Sequence, residues 1–181
     1  MSPADQLTVA RALSVPIVVL LYALDFHGHA YWGTAVFCVA MATDFFDGRL
    51  ARRHGRTSPL GTLLDPIADK VLVLAAMVML VALGVVPGWM IAAIVVREVL
   101  ITGLRQAAIE RGVVIAARDL GKLKTWAQAI ATALAGFAAA GAWTDRVGWW
   151  AMLVAVVLTC ASGVDYARGA PALLRQRRVP A

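Results

Sequence analysis

The chain has little charge for its length. Of its 181 residues only 15% are Asp, Glu, Lys or Arg, whereas 61% are hydrophobic, and the mean hydropathy is positive. A chain of this size forms one domain, here residues 1–181, but cannot hide so much apolar surface in a water-soluble fold. The composition therefore excludes an ordinary soluble protein and predicts an integral membrane protein.

A soluble basic face is also absent. The net charge of +6 would otherwise suggest nucleic acid, but the basic residues stand at the ends of apolar segments. We therefore expect anionic lipid headgroups, and not nucleic acid, beside them.

Cysteine is scarce, and cleavage signals are missing. Cys38 and Cys160 lie singly in apolar stretches, without the CxxC or CxH pairing of thiolate metal sites. We expect both to be small buried side chains. No convincing small-x-small cleavage site precedes Tyr31, so the first apolar run is predicted to stay as a helix.

Six apolar segments are each close to the ~20 residues that a membrane-spanning helix requires. They cover residues 7–24, 31–52, 60–83, 89–111, 121–143 and 148–168. Glycine, proline and polar residues separate them, and Ser58-Pro59 is typical of a helix N-cap followed by proline at the first helical position. The sequence predicts an all-α bundle of six transmembrane helices.

The basic residues alternate between connections, which predicts the orientation. They mark the N-terminal side, the second connection, the fourth connection and the C-terminus, respectively: Arg11; Arg49, Arg52, Arg53, Arg56; Arg105, Arg111, Arg118, Lys122, Lys124; Arg168, Arg175, Arg177, Arg178. Because cytoplasmic loops carry the excess of Lys and Arg, both termini and these two connections are predicted on the cytoplasmic side of the cell (inner) membrane.

Four aspartates interrupt this apolar sequence beside the second connection: Asp44, Asp47, Asp65 and Asp69. An ionised Asp near a bilayer centre costs roughly 2.5–3.5 kcal/mol, so four would cost on the order of 10 kcal/mol unless cations offset them. Spacings of three and four residues place each pair on one helix face. Oxygen-only ligands suit two Mg2+ or Mn2+ ions, an arrangement that clamps phosphoryl oxygens. The alternative is an ion-pair cluster with Arg49, Arg52 and Lys70.

Gly48 follows Asp47 inside a predicted helix, where glycine costs ~1 kcal/mol against alanine. Asp-Gly is also a turn signal, so a helix end explains it equally well. If the helix continues, Gly48 and Ala51 clear a slot for a flat ligand, and Arg52 supplies a bidentate phosphate donor.

The pattern resembles the signature of a known family, the CDP-alcohol phosphotransferases. Asp-x2-Asp-Gly-x2-Ala-Arg-x8-Gly-x3-Asp-x3-Asp is met at all eight fixed positions: Asp44, Asp47, Gly48, Ala51, Arg52, Gly61, Asp65 and Asp69. The resemblance implies a six-helix membrane enzyme, usually a homodimer, that moves a substituted phosphate from a CDP-linked donor to an alcohol. It implies that the four aspartates hold two metal ions, with Asp69 also the catalytic base. It assigns the CDP part to Gly48, Ala51, Arg52, Ser58 and Gly61.

A second group of charged residues lies in the fourth and fifth helices. Arg97 and Glu98 stand within an apolar run, and we expect Arg97 to pair with Glu98 or with an aspartate of the cluster. Arg105, Lys122 and Lys124 stand at the predicted cytoplasmic ends, where they either contact anionic lipid or bind an anionic acceptor.

Here the similarity narrows to the branch of the family that makes phosphatidylglycerophosphate. It is carried by residues 7–11, 97–105, 121–125 and 162–166, although Asp5-Gln6 stands where family members commonly have Asn. This implies that CDP-diacylglycerol and glycerol 3-phosphate are the substrates, with the acceptor phosphate bound by Arg105, Arg118, Lys122 and Lys124.

Two other classes of function remain open from the sequence. In the first, the same transfer reaction uses another acceptor: inositol phosphate, serine or phosphatidylglycerol. Binding serine or phosphatidylglycerol would require fewer basic residues than this chain has. In a different class, the aspartates belong to a small cation transporter. A transporter needs polar residues along the whole path, whereas residues 71–83 are uniformly apolar, which favours a blind cavity.

Overall fold

The computed structural model is a bundle of α-helices. It describes the backbone of residues 3–54, 59–110 and 119–175, and the side chains of residues 10–43, 70–109, 121 and 123–168. Within these residues there are six helices and no strand, which confirms the predicted all-α class. The helices are α1 (Pro3–Ala23), α2 (His29–His54), α3 (Pro59–Ala82), α4 (Gly88–Glu110), α5 (Asp119–Ala139) and α6 (Asp145–Arg175).

Glycines in a left-handed conformation end two of the helices. Gly84 follows α3 with a φ of 74°, and Gly141 follows α5 with a φ of 81°. After α5 the amide of Ala142 donates to the carbonyl of Phe137 (3.0 Å), which satisfies a carbonyl that the helix leaves unpaired. The prediction that α5 reaches residue 143 is therefore wrong, because the conformation of Gly141 ends it at Ala139.

The other helix boundaries lie near the predicted ones, except that α1 begins at Pro3, four residues before the predicted start, and α6 is longer than predicted. α3 begins at Pro59, as the Ser58-Pro59 signal predicted; Ser58 itself lies outside the described residues. α6 runs beyond residue 168 to Arg175. The length of an apolar run predicts only the membrane-spanning part of a helix. The helix itself can continue into polar sequence for as long as its backbone hydrogen bonds continue.

The helices enclose one apolar core. α1 packs against α2 and α3, α5 packs against α2, α3 and α6, and α4 packs against α3 and α6. The fully buried large side chains are apolar or threonine: Phe37, Leu72, Met77, Leu80, Met90, Ile94, Met152, Val18, Thr34, Thr132 and Thr159.

Small residues bring helices into close contact at one junction. Tyr22 of α1 and Thr34 of α2 are hydrogen-bonded through their hydroxyls (2.8 Å), and both are buried. Gly136 of α5 lies directly against this pair, where a Cβ atom would come within 2.7 Å of the Tyr22 hydroxyl oxygen. The three helices therefore meet at a point with no room for a side chain on α5.

The outer surface of the bundle is largely apolar. Leu13, Val39 and Val99 are each at least 60% exposed. Extended apolar surfaces of this kind are typical of membrane or protein contacts. Among the described residues, Asp145–Arg168 is the stretch long and apolar enough to cross a membrane, and Ala10–Ala23 and Lys70–Ala82 are shorter apolar stretches. The number of membrane spans therefore stays a prediction.

The two cysteines differ in exposure. Cys38 is half-buried, but Cys160 is exposed. The expectation of burial is wrong for Cys160, because it shares the outer face of α6 with the exposed Val157 and Val164.

Candidate active site

The four aspartates lie on consecutive helices, close to the connection between them. Asp44 and Asp47 are in the C-terminal half of α2, and Asp65 and Asp69 are in the first half of α3. Both segments are α-helical, so each pair lies on one face of its helix, as predicted. Their side chains lie outside the described residues, and the meeting of the two pairs stays a prediction.

The chemistry of this donor set fits a hard divalent cation. Four carboxylates on two adjoining helices offer only oxygen ligands, which Mg2+ and Mn2+ accept. Among the described side chains no group of three or more His, Cys, Asp or Glu is placed to hold a metal ion. The four aspartates are outside that search, and they remain the candidate metal ligands.

The residues assigned to CDP lie on the same two helices. Gly48, Ala51 and Arg52 are on α2 and Gly61 is on α3, while Ser58 lies outside the described residues. α2 continues past Gly48 to its end at residue 54, so the interpretation of Gly48 as a helix end is wrong. Ala51 and Arg52 follow Gly48 by three and four residues, which places all three on one face of the helix.

A carboxylate on α4 is the centre of a charged cluster near this end of the bundle. Glu98 is 8% exposed. It accepts a hydrogen bond from Nη1 of Arg97 (3.0 Å) and another from Nζ of Lys124, and Nζ of Lys70 lies 4.0 Å from its second oxygen. Arg97 also donates from Nη2 to Oγ of Ser162 (2.8 Å). The carboxylate thereby connects α3, α4 and α5, and Arg97 connects it to α6; the predicted pairing of Arg97 with Glu98 is confirmed.

Lys124 and Lys70 occupy different positions in this cluster. The side chain of Lys124 is 9% exposed and that of Lys70 is 44% exposed. The interpretation of Lys124 as a lipid contact is therefore wrong, because its ammonium group is buried against Glu98. Lys70 directly follows Asp69 in the chain, and its Nζ also donates to Oγ1 of Thr102 (3.1 Å).

The remaining residues assigned to the acceptor phosphate are less completely described. Arg105 is exposed on α4; its Nε donates to the hydroxyl of Tyr166 (3.3 Å), and its guanidinium carbon lies 5.7 Å from the ring centroid. Arg118 and the side chain of Lys122 lie outside the described residues. Arg105 of α4 is thus bonded to a residue of α6, and Lys124 of α5 to a residue of α4.

Sequence reasoning missed two features of this region. It placed Lys124 among phosphate ligands without recognising that Glu98 engages it, and it gave Lys70 no role beyond pairing with aspartates. Glu98 and Lys124 are on different helices, so no local spacing relates them. The only signal in the sequence was Glu98 itself, because an acidic residue within an apolar run requires a cationic partner.

Comparison with known proteins places the chain beside membrane-lipid enzymes. A family model described as CDP-alcohol phosphatidyltransferase matches residues 1–161. The chain is 40% identical over 168 residues to a probable phosphatidylglycerophosphate synthase of Mycobacterium tuberculosis, covering 90% of this chain and 78% of the relative. It is 37% identical over 171 residues to the CDP-diacylglycerol–glycerol-3-phosphate 3-phosphatidyltransferase of Escherichia coli strain K12, covering 92% and 93%. The enzyme of the same name from Bacillus subtilis is 37% identical over 143 residues, covering 70% and 72%.

Proposed function

The chain belongs to the CDP-alcohol phosphatidyltransferase family, and we propose that it transfers the phosphatidyl group of CDP-diacylglycerol to glycerol 3-phosphate. The products are phosphatidylglycerophosphate and CMP. The observation that carries the proposal is the complete eight-position motif, whose residues fall on the adjoining parts of α2 and α3. The names of the relatives support the choice of both substrates.

The chain's own residues supply the proton transfer and the positioning. A hydroxyl of glycerol 3-phosphate gives its proton to Asp69 and attacks the lipid-side phosphorus of CDP-diacylglycerol. The new oxygen–phosphorus bond forms as the bond from that phosphorus to the oxygen of CMP breaks. Holding both substrates in this geometry contributes most of the rate in reactions of this type.

The aspartates have a second role in this proposal. Asp44, Asp47, Asp65 and Asp69 would hold two Mg2+ or Mn2+ ions, which supply positive charge to phosphoryl oxygens and help a carboxylate of ordinary basicity to accept an alcohol proton. Lys70 then lies at the boundary between this site and the charged cluster around Glu98.

We propose that the two substrates are bound by separate sets of residues. Gly48, Ala51, Arg52, Ser58 and Gly61 are proposed to bind the CDP group. Arg105, Arg118, Lys122 and Lys124 are proposed to provide the positive charge that attracts the acceptor phosphate. The acyl chains of the donor stay in the bilayer.

We place the protein in the cell membrane as a multi-pass homodimer with one catalytic domain per chain. The apolar outer surface of the described helices supports a lipid environment. The alternation of basic connections supports a cytoplasmic active site and cytoplasmic termini.

An acceptor panel tests the reaction. Purified protein is incubated with CDP-diacylglycerol, Mg2+ or Mn2+, and separately with glycerol 3-phosphate, serine, inositol phosphate or phosphatidylglycerol, and CMP release is measured. We expect release with glycerol 3-phosphate. CMP release with serine but not with glycerol 3-phosphate overturns the acceptor, and cation flux into proteoliposomes without CMP release favours a transporter.

A further inference from the structure

Glu98 gathers three basic side chains that would otherwise repel one another. Arg97, Lys124 and Lys70 come from α4, α5 and α3, and all lie within 4.0 Å of its carboxylate. The side chains of Glu98, Arg97 and Lys124 are at most 11% exposed. Like charges interact strongly at such short range away from water, so this arrangement depends on the carboxylate between them.

The three basic side chains are not equivalent. Two donors of Arg97 are used by Glu98 and Ser162, and Gly163 leaves the space that Arg97 occupies, since a Cβ there would lie 3.1 Å from Cγ of the arginine. Lys124 is buried against Glu98. Lys70 is the half-exposed member, and its ammonium group keeps donor capacity beyond the bond to Thr102.

The charge of this group suits a phosphomonoester. Three basic residues and one carboxylate leave a surplus of two positive charges. A phosphomonoester carries about −1.5 to −2 at neutral pH. Lys70, which carries part of this surplus, lies in the middle of α3, one residue after the proposed catalytic base Asp69.

We propose that Lys70 contacts the phosphate of the acceptor, and that Glu98 is a positioning residue that holds Lys70 beside the buried charges of Arg97 and Lys124. This inference rests on the proposed function and refines its acceptor site. Thr102 and Glu98 fix the direction of the Lys70 ammonium group from one side, and its exposed side faces the acceptor. Serine, which has no phosphate, gains nothing from this arrangement.

The first test removes the contact without disturbing the buried cluster. Lys70→Met keeps the length of an exposed side chain and removes its charge. We expect KM for glycerol 3-phosphate to rise about 10- to 100-fold, the equivalent of one charged hydrogen bond. KM for CDP-diacylglycerol and kcat at saturation are expected to stay unchanged, and Lys70→Arg is expected to restore most of the affinity.

A matched control distinguishes a direct contact between Lys70 and the acceptor phosphate from a general attraction of anions by the protein's positive charge. Arg168→Met removes an exposed positive charge of α6, in the half of that helix that holds Ser162, and is expected to leave KM for glycerol 3-phosphate unchanged. An equal rise in the Arg168 variant overturns the inference. A fall in kcat alone, or a rise in KM for both substrates, in Lys70→Met also overturns it.

The second test addresses Glu98, whose removal leaves buried charges without a partner. Glu98→Gln alone is expected to lower thermal stability and raise KM for glycerol 3-phosphate. Glu98→Gln combined with Lys124→Met replaces this buried ion pair by uncharged groups and is expected to recover part of the stability, because an uncharged pair substitutes for the ion pair while Arg97 keeps its bond to Ser162. The effect on KM is tested in the Lys70→Met background: if Glu98→Gln raises KM for glycerol 3-phosphate no further there, Glu98 acts through Lys70, and if it raises KM by the same factor as in the wild type, the positioning role is refuted.

These outcomes are separate from failure of the proposed function. A wild-type protein that releases no CMP with glycerol 3-phosphate refutes the reaction. A wild-type protein with that activity, whose KM is unaffected by Lys70→Met, refutes only this inference.

Discussion

Gly136→Ala tests whether α1, α2 and α5 meet as closely as the structure describes. The new methyl group would lie 2.7 Å from the Tyr22 hydroxyl oxygen and 2.9 Å from Cγ2 of Thr34. Both distances are shorter than real contacts of a Cβ atom allow. Thr34 donates to the carbonyl of Ala30 (2.7 Å), so the hydrogen of the Tyr22–Thr34 bond comes from the tyrosine.

The expected loss of stability has two parts and one small offset. Overpacking a closely packed core costs about 1–3 kcal/mol. Separating the buried Tyr22–Thr34 bond costs about 1–3 kcal/mol more. Alanine in a helix returns up to ~1 kcal/mol relative to glycine. The net loss is therefore about 1–6 kcal/mol, which at roughly 2–4 °C per kcal/mol lowers Tm by at least about 2 °C.

The assay is the thermal unfolding of the purified protein in one detergent, followed by size-exclusion chromatography after heating. Gly103→Ala is the matched control, because Gly103 is also helical but has nothing within 4 Å of an added Cβ. Its Tm is expected to stay the same or rise slightly. Combining Gly136→Ala with Thr34→Ala should cost less than the sum of the two changes, because the second removes atoms that the first displaces. Equal Tm values for Gly136→Ala and Gly103→Ala refute the described junction.

Three further predictions concern the site. Asp69→Asn is expected to abolish CMP release, although the protein still elutes from size-exclusion chromatography as the wild type does. The control Asp145→Asn makes the same change at the start of α6 and is expected to keep activity. Retained turnover in Asp69→Asn refutes Asp69 as the base. Arg105→Ala is expected to raise KM for glycerol 3-phosphate, and Tyr166→Phe to raise it less because the bond between them is long (3.3 Å); an effect on CDP-diacylglycerol alone moves Arg105 to the donor site. Lys124→Ala is expected to lower the free energy of unfolding by about 1.5–3 kcal/mol, since it removes one of the two hydrogen bonds to the buried carboxylate of Glu98, which keeps the bond from Arg97; an unchanged Tm would contradict the burial of this pair.

The sequence was sufficient for the number of helices and for their approximate bounds. Each apolar run has nearly the length of a helix, and glycine or proline separates it from the next, as at Gly84 and Pro59. It was not sufficient where a single conformation decides the end of a helix. Gly141 lies inside an apolar stretch, and only its positive φ ends α5 before residue 143.

The site divides in the same way. Both aspartate pairs have local spacings that a helix converts into a shared face, so the motif could be found without a structure. The contacts of Glu98 join α3, α4 and α5, and Arg97 extends the cluster to Ser162 of α6; the sequence positions of Lys70, Lys124 and Ser162 have no periodic relation to Glu98. The exposure of Cys160 was missed for a related reason: an apolar helix does not reveal which of its faces is turned outward.

Product formation by metal-stripped protein tests directly whether the reaction depends on divalent ions held by the four aspartates. CDP-diacylglycerol and glycerol 3-phosphate are supplied to protein treated with a chelator, and CMP and the lipid product are measured by mass spectrometry before and after Mg2+ or Mn2+ is added. We expect no product before the addition, and equal amounts of CMP and phosphatidylglycerophosphate after it. Undiminished turnover in the stripped protein would contradict this expectation.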